Sequence, residues 1–328
     1  MTPLAPHLAT FLRDYLPRDR ACSAHTCDAY AYAFQLLVCF AAQRHRTSPS
    51  ALTLEQLDAP VVLAFLGHLE VDRGNSATSR NARLAAIKSF AHSLEYRVPA
   101  AIEQVRCILA IPAKKTDDPL VPFLDRRELQ ALLDAPDPTT REGPRDRAML
   151  HLAFAAGLRV SELVGLRLDD IQVHPEASIR VRGKGRRERR LPLWKETAEV
   201  LRVFLRVRSD GGAPELFLNA RGRAMTRAGF EYILAKHVAV ATLTVPSVAS
   251  KRVSPHVLRH TCAMHVLQAT HDVRKVSLWL GHATMKSTEV YLRADPTEKL
   301  AALNASVAPA IRPGTFTVPD KLLAMLKK

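Results

Sequence analysis

Apolar residues recur at helical spacing through most of the first hundred positions. Between Thr26 and His45, the residues Tyr30, Phe34, Leu37 and Val38 fall on one side of a helix, with Ser23 and Thr26 as candidate caps. Thr53-x-x-Gln56 has capping-box spacing and predicts a helix running to about Glu70. Leu84, Ile87, Phe90 and Leu94 predict another from about Ser76 to Arg97, ending before Pro99, and a short one follows from about Pro99 to Leu109. Residues 1–110 therefore read as an all-helical domain.

The pattern then breaks. Ile111 to Pro122 (IPAKKTDDPLVP) holds three prolines and four charges without an apolar period, which predicts an extended linker over 111–122. Helical spacing resumes at Asp125–Asp134 and Arg145–Ala156, the latter ending at Gly157, and continues over Val160–Leu166. Ser178–Arg182 and Arg187–Leu193 instead alternate with period two around Gly183-Lys184-Gly185, as in an antiparallel hairpin. Further helices are predicted at Glu196–Arg208, Thr226 to about Val240, Pro255 to about Ala269, Val273–Leu280 and Ser287–Tyr291. The fold class is mainly α, with a second α+β domain over 123–300 carrying a small antiparallel sheet, and a C-terminal extension over 301–328.

Composition narrows the class. The 328 residues are 47% hydrophobic and 24% charged, ordinary globular proportions that exclude a disordered or fibrous chain. No uncharged apolar stretch reaches the length of a membrane span, and the first residues lack the basic and apolar regions of a secretory signal. Five cysteines (Cys22, Cys27, Cys39, Cys107, Cys262) make an odd set, which fits a reduced cytoplasm. Cys22, His25 and Cys27 have the spacing of half a metal site, but no second pair follows, and no metal is expected.

Charge narrows it further. Of a net +15, little belongs to the first part: 11 basic and 9 acidic residues precede Ala113, and 36 and 23 follow. Segregation of this kind points to a polyanion, most simply nucleic acid, although solvated surface charge is the plain alternative. Seven of the eleven residues in Arg180–Arg190 (RVRGKGRRERR) are basic, and no aromatic interrupts them. Contact with duplex phosphates fits this better than stacking on single-stranded bases. Arg180, Arg182, Arg186, Arg187 and Arg189 are the candidate DNA contacts.

Three short segments carry residues suited to chemistry. In Ser254-Pro255-His256-Val257-Leu258-Arg259-His260, a cap and a first-turn proline open a helix, so that His256, Arg259 and His260 share a face. Cations at a helix N-terminus favour a bound anion. In Gly157-Leu158-Arg159-Val160-Ser161-Glu162, Arg159 stands between two helices with Glu162 positioned to hold it by a salt bridge. In Leu280-Gly281-His282, the glycine ends a helix and exposes the histidine, nine residues before Tyr291. Taken singly, a surface Arg–Glu pair, a core histidine, a half-buried tyrosine and a solvated Lys184 explain each of these.

Taken together and in order, GLRVSEL, RVRGKGRRERRLPL, SPHVLRHTCAMH and LWLGHATMKSTEVYL, spanning Gly157 to Leu292, resemble the catalytic domain of the tyrosine recombinases (phage integrase family). The likeness is to the chromosome-dimer-resolving branch and to transposon-borne integrases. It implies a SAM-like helical core-binding domain ahead of the catalytic one. It also implies site-specific cutting and rejoining of double-stranded DNA through a 3′-phosphotyrosyl bond. Arg159 and Arg259 would clamp the scissile phosphate, and Lys184 would protonate the leaving 5′ oxygen. His256 and His282 would serve the phosphoryl oxygens, Tyr291 would attack, and Glu162 and His260 would support. The resemblance further implies four protomers on two synapsed duplexes, a partner recombinase in some systems, and an extension (Leu322, Leu323, Leu326) that docks on a neighbour. A non-catalytic accessory DNA-binding protein and a type IB-like topoisomerase are the competing readings.

The chemistry stands without the likeness. Two arginines offer fixed bidentate donors to a phosphate without a metal, and a phenol of pKa about 10 needs cations nearby to attack. Asp169 and Asp170 are adjacent and diverge, so they do not form a Mg²⁺ site. A phosphotyrosyl link keeps the energy of the broken bond, and the chain has no G-x-x-x-x-G-K-[ST] loop for ATP. No cofactor is expected.

Overall fold

In the computed structural model the chain divides into two compact units, Met1–Asp118 and Pro119–Lys328. The structure describes residues 2–117, 121–183, 188–208, 212–281, 285 and 288–294. Lys184, Arg186, Arg187, His282 and the extension over 301–328 lie outside the described residues.

The first unit is helical: α1 (Leu4–Thr10), a π-type stretch (Phe11–Asp19), α2 (Ala24–His45), α3 (Ala59–Val71), α4 (Ala77–Leu94) and α5 (Ile102–Ala110). No helix is predicted before residue 20, yet Leu4, Phe11 and Tyr15 follow helical spacing and are buried. Three prolines obscure that pattern, and the widened winding accommodates Pro17, which has no amide to donate. Phe11, Phe34 and Phe90 meet edge-on at 5.3–5.7 Å and form the centre of the core.

Side-chain caps fix where the helices start. Ser23, Asp58 and Ser76 each accept from the amide three residues on, and each such cap contributes about 1 kcal/mol. One expectation fails here. Gln56 does accept from the Thr53 amide (2.9 Å), but the pair closes a turn, and the helix begins only at Ala59 behind Asp58. Asp58 wins because Pro60 follows it in the first turn, where a proline is pre-organised.

Residues 111–117 run without regular structure, but their first half is pinned to the first unit. Asn81 exchanges two hydrogen bonds with the Lys114 backbone (2.8 and 3.0 Å), and Lys114 Nζ reaches Glu70 at 2.8 Å.

The second unit packs α6 (Arg126–Asp134), α7 (Gly143–Ala155), α8 (Val160–Val164), α9 (Lys195–Val207), α10 (Arg227–Thr244), α11 (Pro255–Thr270), α12 (Val273–Leu280) and α13 (Glu289–Ala294) around one apolar core. A capping box joins Asp125 and Glu128, both bonds 2.8 Å, at the start of α6. The sheet has antiparallel order β1 (Ile171–Gln172), β2 (Ser178–Arg182), β3 (Glu188–Pro192). Ile179 faces Leu191 and Val181 faces Arg189 across β2 and β3, while Arg180 faces Arg190 and Arg182 faces Glu188. Ile179, Val181 and Leu191 are buried. Period two therefore puts Arg189 on the inner face of the sheet, with Arg180 and Arg182 on the outer one. Among the described residues no helix is long and apolar enough to cross a membrane.

Candidate active site

The site begins where α7 stops. Gly157 takes φ +55°, and Leu158 N bonds back to the Ala153 carbonyl (3.1 Å), turning the chain out of the helix. A methyl group at 157 would lie 2.6 Å from Leu280 Cδ2 and 3.1 Å from Cys262 Sγ, so only glycine fits between α11 and α12 here. The turn delivers Arg159 to the start of α8. Its backbone amide and Nη1 both bond the Glu162 carboxylate at 2.9 Å.

Arg259, in the second turn of α11, is buried. It donates to the carbonyl of Gly157 and, at 2.8 Å, to that of Leu280. Leu280 is the last residue of α12 and Gly157 lies two residues past the end of α7, so one guanidinium ties the C-terminal ends of two helices together. Burial, then the charge of Arg159, lowers its pKa to about 10, and Glu162 opposes the shift. It stays cationic at neutral pH.

Among the described residues, Glu162 is the single acid facing these cations. Arg189 reaches it in bidentate fashion at 3.0 and 3.2 Å, Arg159 at 2.9 Å and Arg259 at 3.9 Å. Burial alone would raise its pKa. The hydrogen bonds and charge of Arg189, then those of Arg159, outweigh burial and hold the carboxyl below its ordinary value. Among the described residues, three guanidiniums stand against one carboxylate, which leaves two positive charges uncompensated. Only Arg159 is substantially open, its side chain 37% exposed against 12% for Arg189 and 6% for Arg259.

Tyr291 lies on α13, which packs against α11 and α12, and is 4% exposed. Burial pushes its phenol up to about 12, while the charges of Arg259 and Arg159 pull the other way. Its ring meets the edge of His260 at 5.3 Å. Burial, then the charges of His256 and Arg259, lowers the pKa of His260 to about 4, and its Nδ1 is buried without a hydrogen-bond partner. His256 stands exposed at the first turn of α11. The three residues of this helix face thus sit at three depths.

Of the predicted residues, the fold brings Arg159, Glu162, Arg259, His260 and Tyr291 together, with His256 at the rim. Lys184 and His282 fall outside the described residues, as do Arg186 and Arg187. Arg180 and Arg182 are 39% and 49% exposed and share the buried carboxylate of Asp170 at 3.2 and 3.3 Å. Arg189, expected among the DNA contacts, differs from Arg180 and Arg182: its side chain turns inward, is 12% exposed and binds Glu162, a direction that the parity of Leu191 in the same strand signals. Among the described residues, no group of His, Cys, Asp and Glu is arranged to hold a metal ion.

The chain is similar to known proteins over most of its length. The phage integrase family matches residues 122–298, and the phage integrase N-terminal SAM-like domain matches residues 9–97. A protein of Sinorhizobium fredii named as an integrase/recombinase, y4rC, is 43% identical over 98% of this chain and 97% of its own length. The tyrosine recombinase XerC of Pelobacter propionicus is 34% identical over 89% and 91%. Among solved structures, the XerH site-specific recombinase, in a post-cleavage complex with its palindromic difH substrate, shares the fold. Its TM-score is 0.67 at 20% identity, over 90% of this chain and 83% of that one.

Proposed function

The chain belongs to the phage integrase family, and on that footing we propose that Tyr291 is the nucleophile of a tyrosine-type site-specific recombinase acting on double-stranded DNA. The supporting observation is that Tyr291 lies buried within reach of the charges of Arg259 and Arg159, two of three arginines gathered on the one carboxylate of Glu162. The scissile phosphate enters beside Arg159, the most open of the cations, and brings the negative charge that the pocket lacks. Arg159 and Arg259 then hold its non-bridging oxygens with fixed donors, so the charge that builds up in the transition state meets dipoles already in place.

A phenol with a pKa near 12 is protonated at neutral pH, so attack and loss of its proton must proceed together. The phenolic oxygen bonds to phosphorus as its proton passes to a non-bridging phosphoryl oxygen, the bond from phosphorus to the 5′ oxygen breaks, and Lys184 gives the departing 5′ oxygen a proton. His256 and His282 serve the phosphoryl oxygens. The phosphotyrosyl bond keeps the strand activated, and a 5′-hydroxyl later reverses the step, so joining consumes no nucleotide. The helical first unit grips the duplex as a core-binding domain, and four protomers join two duplexes, alone or with a partner recombinase. Moving a mobile element within a bacterial cytoplasm is the setting that this chemistry suits.

The test is a nicked suicide duplex, its site selected from a random-sequence pool by binding to the wild-type chain. Wild type should form a covalent adduct that survives denaturing electrophoresis. Tyr291→Phe should form none while still shifting the duplex on native gels. An adduct that persists in Tyr291→Phe removes Tyr291 from the mechanism, and binding by wild type without any adduct leaves only the accessory role.

A further inference from the structure

One arginine with a side chain 12% exposed links its own strand to two other segments of the site. Arg189 leaves β3 on the inner face of the sheet, opposite the buried Val181. Its guanidinium takes both oxygens of Glu162 (3.2 and 3.0 Å), the acid that also holds Arg159. Its aliphatic stem lies over Gly281, whose φ of +64° ends α12 immediately before His282. A methyl group at 281 would sit 3.0 Å from Arg189 Cδ and 3.2 Å from Nη1, so the glycine makes room for this side chain.

We propose that Arg189 is a positioning residue for strand cleavage, mooring the β2–β3 hairpin to the Glu162 carboxylate and to the turn at Gly281. This rests on the function proposed above. The hairpin carries Lys184 in its connection, Glu162 carries Arg159, and Gly281 adjoins His282, so Arg189 fixes their carriers relative to one another. It also governs Arg159. By engaging both carboxylate oxygens, Arg189 shares the acid that would otherwise bind Arg159 with only the more distant Arg259 in competition, and this leaves Arg159 able to turn toward a phosphate. The charged groups facing Glu162 are Arg159 from the start of α8, Arg189 from β3 and Arg259 from α11. Without Arg189, burial acts on Glu162 against one fewer cation, and protonation moves to higher pH.

The test compares Arg189→Gln, Arg189→Lys and Tyr291→Phe on the selected suicide duplex and on random duplex of equal length. A positioning residue misplaced by about an ångström costs about 100-fold in rate. Arg189→Gln should therefore slow adduct formation about 100-fold at saturating DNA, with Kd unchanged within twofold. The salt dependence of binding should also be unchanged, and the acid limb of the rate profile should move to higher pH. Arg189→Lys, which keeps the charge but not the bidentate geometry, should recover part of the rate and restore the acid limb. Each variant must keep the wild-type tryptophan emission, since both tryptophans, Trp194 and Trp279, belong to the second unit. Should Arg189→Gln instead weaken binding and lower the salt slope by about one, Arg189 is a phosphate contact and the inference fails. Adduct formation at the wild-type rate also overturns it, as does a slowed rate whose pH profile has not moved. An adduct surviving in Tyr291→Phe would overturn the mechanism beneath it, which is a separate failure.

Discussion

Glu162 and Asp170 are both buried acids of the second unit, and both collect arginines. Asp170 takes Arg180 and Arg182 from the outer face of β2, where water still reaches more than a third of each side chain. Glu162 takes Arg189 from the inner face of β3, with Arg159 and Arg259 added from two helix starts. The first group is a surface charge array tethered by an acid. The second confines more positive charge than its acid can neutralise, with Arg189 and Arg259 nearly closed to water and Arg159 alone open. Such an arrangement is costly until an anion arrives, and that distinguishes a site for a phosphate in transit from one that merely attracts DNA. Burial and charge imbalance mark the reactive cluster, whereas the density of arginines marks the other.

The largest contrast should come from removing each acid in turn. Glu162→Gln leaves three guanidiniums facing one another without a counter-charge, which should destabilise the second unit by about 3 kcal/mol. Asp170→Asn leaves two half-wet arginines and should cost no more than about 1 kcal/mol. Urea unfolding followed by tryptophan emission reads the second unit selectively, because Trp194 and Trp279 both lie there. Equal losses at the two acids would erase the distinction. The contribution of Glu162 also has a defined pH window. Its folded pKa is depressed, so its stabilisation is complete above the unfolded value of about 4.3 and is lost as pH falls through the folded value.

His260 sharpens the contrast on the reactive side. A histidine kept neutral down to about pH 4 opposes folding wherever the unfolded chain can protonate it, which is from about pH 6.5 downward. Stability should therefore rise with pH between about 4 and 6.5. His260→Phe retains a ring against Tyr291 but cannot take a proton, so its urea midpoints at pH 5 and pH 7 should lie closer together than those of wild type. A pH dependence identical to wild type would mean that His260 is not held neutral. Asp170 has no such histidine among the partners seen for it.

Much of this was legible in the sequence, and each miss has a physical cause. Helical spacing located α2, α4, α6, α7, α9, α11 and α12 to within a few residues, because an amphipathic stripe is a local property. Arg159 with Glu162, and His256 with Arg259, could be paired from spacing because each pair shares a helix start. The tie between Arg189 and Glu162 could not, since it depends on which face of a strand meets a helix distant in sequence. The only local clue was parity: Leu191 must point inward, and Arg189, two residues earlier, must point with it. A basic run read as a block hides that alternation. The helix start at Asp58 was obscured differently, by two competing caps whose ranking depends on the proline that follows.

The smallest expected effect bears on the same alternation. If the outer arginines meet DNA through phosphates alone, each contributes to counterion release without regard to sequence. Arg182→Gln should then lower the slope of log Kd against log salt by about one on selected and random duplexes alike, with the cleavage rate at saturating DNA unchanged. The reasoning is that Arg182 divides its donors between Asp170 and Glu188 at 3.3 and 3.4 Å, and its side chain remains 49% exposed. Donors still face water, and a passing phosphate displaces only solvent from them. A slope that falls on the selected duplex but not on random DNA would move Arg182 from phosphate contact to base reading. An unchanged slope on both would assign it to holding β2 against β3, and the outer face of the sheet would then lose its claim to the DNA.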